Sequence, residues 1–95
     1  MPAYVIVDIH VHDPVIFEEY KNLAPASIKA HGGRYVARGG RVETLEGTWK
    51  PTRLVILEFD SVERAQQWVN SPEYREARRL RQLSARTEMV VAEGV

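Results

Sequence analysis

The segment Ala3-Tyr4-Val5-Ile6-Val7-Asp8-Ile9-His10-Val11-His12, followed at once by Asp13-Pro14, decides the architecture. Val5, Val7, Ile9 and Val11 alternate with Tyr4, Ile6, Asp8, His10 and His12. Period two in a run rich in β-branched residues predicts a strand with one apolar face and one mixed face. Asp13 is a good helix N-cap acceptor, and Pro14 fits the first helical turn, where its missing N–H costs nothing. Ile16, Phe17, Tyr20, Leu23, Ala24 and Ile28 then follow at helical spacing. Pro25 interrupts that pattern and predicts a kink or a restart. Gly32-Gly33 ends the helix, because glycine takes the left-handed conformation beyond the C-cap without strain.

Outward from this unit, Arg34 to Arg38 reads as a second strand, followed by Gly39-Gly40 and a strand-like Arg41 to Leu45. The two glycines suit a tight hairpin or a bulge bending one long strand. The bulge is preferred, since a better turn follows at Glu46-Gly47-Thr48-Trp49-Lys50-Pro51. Arg53 to Phe59, with the apolar run Leu54-Val55-Ile56-Leu57, is the clearest buried strand. Asp60 and Glu63 have capping-box spacing for a second helix with an Ala65, Trp68, Val69 stripe. Asn70-Ser71-Pro72 stops it and caps a third helix at Ser71, whose inner side is Tyr74, Ala77 and Leu80, with Leu83 or Arg81. Glu88 to Glu93 is the last strand. Strand, helix, strand, strand, helix pair, strand fits an α+β, ferredoxin-like βαββαβ fold, a four-stranded antiparallel sheet with helices on one face.

With 95 residues the chain is expected to form a single domain over 1–95, with a small core that association would help. It has no cysteine, which excludes disulfides, thiolate catalysis and cysteine-ligated metals. Thirteen basic and thirteen acidic residues balance, so no electrostatic case exists for nucleic acid as a partner. No apolar run approaches the ~18–20 residues of a membrane helix. The start of the chain lacks the pattern of a secretory signal, and a cytoplasmic location is expected by default.

Parity divides the sheet into two faces. Val5, Val7, Ile9, Val11, Val55, Leu57 and Phe59 should lie under the helices. The opposite face takes Tyr4, Ile6, Asp8, His10, Leu54, Ile56 and Glu58, and Arg34, Val36 and Arg38 share one parity on the second strand. That face is too apolar for water and too charged for ordinary core, since an unpaired buried carboxylate costs several kcal/mol. A homodimer joined sheet to sheet around a partly polar cavity meets both conditions. Arg34, Arg38 and Glu58 are then ligand-binding candidates, an anion or enolate clamp; the simpler account is an ion pair that sets dimer register. His10 is the candidate general base, its free pKa being ~6.5. Trp49 is either a lid over the cavity or a cover for the sheet end.

His10 and His12 share a strand face at a spacing that can chelate zinc with Asp8 or Glu88, but His12 abuts the helix cap, where solvent access explains it better. His31 suits the dipole at its helix end. No metal and no cofactor are expected. Arg75, Arg78, Arg79, Arg81 and Arg86, diluted by Glu73 and Glu76, read as a solvated face. The glycine pairs match neither phosphate-binding pattern, and no serine lies in a G-x-S-x-G frame.

Tyr4-Val5-Ile6, Asp13-Pro14, Gly32-Gly33-Arg34-Tyr35, Arg38-Gly39-Gly40, Leu45-Glu46-Gly47, Glu58-Phe59-Asp60-Ser61, Ala65, Trp68 and Ser71-Pro72-Glu73-Tyr74 occur in that order. Across nearly the whole chain this resembles the domain of unknown function 1330 family, of the dimeric α/β-barrel superfamily. The resemblance implies a homodimer whose sheets face each other as a barrel, and no assigned reaction. Relatives in the superfamily include cofactor-independent monooxygenases, muconolactone-type isomerases and haem-binding members. The chain departs where Asp60 replaces a common proline. The leading expectation is a protein that holds a small, partly apolar, anionic molecule in the barrel or a cleft beside it. The rivals are a cofactor-independent monooxygenase or isomerase, and a structural dimer without ligand.

Overall fold

The computed structural model describes all residues, 1–95. Its elements are β1 (Ala3–Val11), α1 (Pro14–Ala30), β2 (Arg34–Arg38), β3 (Leu54–Phe59), α2 (Val62–Val69), α3 (Pro72–Ser84) and β4 (Ala85–Glu93). The strands form one antiparallel sheet in the order β2-β3-β1-β4, the ferredoxin-like arrangement. No helix is long and apolar enough to cross a membrane.

Local chemistry accounts for the boundaries. The Asp13 carboxylate accepts from the amides of Val15 and Ile16 and so opens α1. Gly32, at φ 75°, closes α1: its amide bonds to Lys29 O and that of Gly33 to Ile28 O, leaving few terminal carbonyls unpaired. Pro25 causes no restart, and α1 runs through it as one element. Ser71 caps α3 as expected. At α2 the cap is Ser61, whose hydroxyl accepts from the Arg64 amide, and not Asp60. β4 begins at Ala85, three residues before the expected Glu88, because its pairing with β1 extends to Val11↔Ala85.

The core lies between the helices and one sheet face. Val5, Val7, Ile9, Val55, Leu57 and Phe59 come from the strands, and Phe17, Ala24, Ile28, Ala65, Trp68, Tyr74 and Ala77 from the helices. Trp68 is its centre, 5.4 Å from the Phe59 ring and 4.3 Å from Tyr74. Its indole N–H is satisfied by the buried Ser27 hydroxyl. On α3, Leu80 and Arg81 face inward, whereas Leu83 is exposed.

Two expectations for β2 fail. The bulge lies at Val36, since Tyr35 pairs with Leu57 and Ala37 with the adjacent Ile56. Gly39-Gly40 is neither bulge nor hairpin. Gly39, at φ 71°, turns the chain out of the sheet, and residues 39–53 are a loop rather than a strand through Leu45. With no partner strand beyond Leu54, residues 41–45 have nothing to pair with.

Candidate functional site

The sheet face away from the helices carries Tyr4, Ile6, Asp8 and His10 from β1, Leu54, Ile56 and Glu58 from β3, and Arg86, Glu88, Val90 and Ala92 from β4. Nothing in the chain's own helices covers it. Ile6, Leu54 and Ile56 are half-buried and Val90 is exposed.

Asp8 is nonetheless buried on this face, because the β2–β3 loop folds down on it. Its carboxylate accepts from the Trp49 indole N–H at 3.2 Å and from the Thr52 amide at 3.1 Å. His10 Nε2 lies 3.6 Å from Asp8 Oδ2, an electrostatic contact rather than a hydrogen bond. His10 Nδ1 lies 2.8 Å from the Thr52 hydroxyl. Burial acts to raise the Asp8 carboxyl, but the bonds from Trp49 and Thr52 and the His10 ring outweigh it and hold the group below its ordinary value. The result is an imidazole with a hydroxyl bonded to one nitrogen and a carboxylate charge near the other: Thr52, His10, Asp8. The Asp8 carboxylate acts on the ring through its charge, and the Thr52 hydroxyl fixes Nδ1 by a hydrogen bond.

Trp49 and His10 are thus brought together. Trp49 both anchors the loop and presents an exposed ring. With Val42, Leu45, Pro51 and Leu54 it lines an open concavity of about 390 Å³, in the range of small-molecule sites. Arg34 and Glu58 pair directly across β2 and β3 on the same open face, as their parity predicts.

Arg38 does not join them. The bulge at Val36 reverses the parity of the rest of β2, so Arg38 pairs with Val55 and projects to the helix side. There its guanidinium stacks 4.4 Å from the Tyr35 ring centre and reaches the Lys21 carbonyl at 3.4 Å. Burial pushes the Tyr35 phenol above its ordinary value, against the pull of Arg38 and Arg53.

His12 is exposed beyond the end of β1, its backbone N–H held by Ser84 O. His31 lies 2.8 Å from Glu73 and ties the end of α1 to the start of α3. No three His, Asp or Glu side chains converge as metal ligands. Sequence reasoning missed Thr52 and the role of Asp8 as anchor. An Asp on the apolar, open-face parity two residues before a strand His was a usable signal for Asp8; Thr52, in an irregular loop, offered none.

The comparisons agree with this fold. A protein of unknown function from Rhodopseudomonas palustris matches with a TM-score of 0.80 at 18% identity, over 99% of this chain and 82% of that one. SnoaB, a cofactor-independent oxygenase from Streptomyces nogalater, matches with a TM-score of 0.67 at 12% identity, over 99% and 93%. A dimeric protein of unknown function with a ferredoxin-like fold, from Bacteroides fragilis, matches with a TM-score of 0.61 at 16% identity, over 98% and 96%. At such identities the likeness speaks for the fold alone. No curated protein matches by sequence. The model of the domain of unknown function 1330 family matches residues 2–95, and the chain belongs to that family.

Proposed function

We propose that the protein is a homodimer, joined through the open sheet faces, that binds a small, partly apolar molecule beside Trp49 and His10. The observation that carries this reading is the buried Asp8 carboxylate, which locks the β2–β3 loop over the open face and orients His10 towards it. Ile6, Leu54, Ile56 and Val90 supply apolar surface that a second copy would cover. The fold neighbour from Bacteroides fragilis is described as dimeric, which supports the same assembly here. The concavity beside Trp49 supplies the apolar part of a site, and Arg34 with Glu58 a charged part.

A second reading is a cofactor-independent monooxygenase or isomerase. His10, set by the Thr52 hydroxyl beside the Asp8 charge, favours it as a general base, since both reactions begin by removing a proton from a phenol or an activated carbon acid. The likeness to SnoaB, an oxygenase of that type, is in keeping with it at the level of fold.

Native mass spectrometry and light scattering on the purified protein test the assembly and the ligand together. A dimer burying more than ~1,000 Å² in total is expected, with a retained small molecule that is lost in Trp49→Ala. Ile56→Asp should give a folded monomer. A monomeric wild-type protein at micromolar concentration refutes the assembly. Retention of the same molecule by Trp49→Ala refutes the site.

A further inference from the structure

A second cleft lies on the other side of the sheet, between α1 and the β2–β3 pair. Phe17, Tyr20, Lys21, Tyr35, Arg38 and Arg53 line it, Lys21 being paired with Glu18. Its two arginines are brought to one place by separate causes. Arg53 lies two residues before Val55 and shares its helix-side parity, and Arg38 is turned to that side by the bulge.

Neither guanidinium is neutralised. The nearby ion pairs are Lys21–Glu18 at 3.3 Å and Arg34–Glu58 across the open face, and neither includes Arg38 or Arg53. Arg53 lies 5.6 Å from the Phe17 ring centre, and a Cβ at Gly39 would fall 2.3 Å from its Nη1, so backbone and ring hold it from both sides. Its Nε–H is buried and has no hydrogen-bond partner. A buried donor without an acceptor is costly, and for a charged group the cost is larger. Arg38 makes a single long bond to the Lys21 carbonyl and is exposed, so it is free to swing. Like charges converging on one cleft, one with an unpaired buried donor, favour an anionic group there.

We propose that this cleft binds the carboxylate of a small organic acid, clamped between Arg53 and Arg38. The cavity is only about 20 Å³, room for little more than one small group, so the carboxylate enters as Arg38 leaves the Tyr35 face. A planar carboxylate matches the fork of a guanidinium, and the buried Arg53 Nε–H gains the acceptor it lacks. The Tyr20 and Tyr35 rings form the sides of the slot and limit the acid to a slender chain. This site is distinct from the one beside His10, on the opposite face of the sheet.

Titration of the full-length protein with sodium formate and sodium acetate, followed by NMR of the arginine Nε–H groups, tests the proposal. Acetamide is the uncharged control and Arg79→Gln the surface-arginine control. Saturable binding is expected, one anion per chain, with the Arg53 signal moving most. Arg53→Gln and Arg38→Gln should weaken it at least tenfold, and Arg79→Gln, a surface arginine paired with Glu76, should leave it unchanged. Arg53→Lys should fall between, keeping the charge without the fork. No saturation by either acid overturns the proposal, as does an equal response to acetamide or a loss of binding in Arg79→Gln. Should Arg53→Gln fail to fold, the wild-type Arg53 signal decides: immobile through the titration, it refutes the site.

Discussion

Asp8→Asn tests the anchor on which the proposed site depends. The side chain is 8% exposed and accepts two hydrogen bonds, from Trp49 and from the Thr52 amide. Asparagine keeps the shape but has one acceptor oxygen and places an NH2 group against the other donor. One charge-assisted bond is lost, worth about 1.5–3 kcal/mol, and the other becomes a neutral one. The Trp49 ring is exposed and its freed N–H can turn to water, which keeps the cost towards the lower end. A net loss of about 2 kcal/mol near neutral pH is expected. The pH dependence has a definite sign. Because the carboxyl is held below its ordinary value of 3.8, its contribution is complete above that value and disappears as pH falls through the lower, folded one. Urea unfolding across this range should show wild type and variant converging at the acid end. Trp49 emission should shift to the red, separated from the buried Trp68 by acrylamide quenching. A loss below ~0.5 kcal/mol with unchanged Trp49 emission would refute the anchor.

Phe59→Ala should cost ~3–5 kcal/mol in denaturant unfolding, since the ring is 1% exposed and packs on Trp68. Gly33→Ala should lose ~1–3 kcal/mol by the same measurement, because an added Cβ would meet the Phe59 ring at 2.5 Å and Ile28 at 2.9 Å. Glu58→Gln breaks a pair whose arginine is 69% exposed, so unfolding should change by less than ~1 kcal/mol, and less in high salt. In the proposed homodimer its larger effect should fall on dimer affinity, read by sedimentation at low salt.

What the sequence determined by itself was local. Alternation in Ala3–Val11 and in the third strand is a property of successive residues, so the buried faces followed from parity, except at Val11, which ends β1 and is exposed. Asp13, Ser71 and the Gly32 turn act within a few residues of themselves, and their roles were legible for the same reason. Arg34 and Glu58 meet where their parities put them.

Tertiary structure decided the rest. Nothing in Tyr35-Val36-Ala37 marks a bulge, neither glycine nor proline; the extra residue exists only relative to β3, and it alone sends Arg38 to the opposite face from Arg34. The loop of residues 39–53 follows no period, so only its docking on Asp8 shows that Trp49 and Thr52 belong with His10. Parity passes along a strand only until its partner forces an extra residue, and a loop's destination is set by contacts some forty positions away in the chain. Each is a relation between segments, and neither is written in one segment alone.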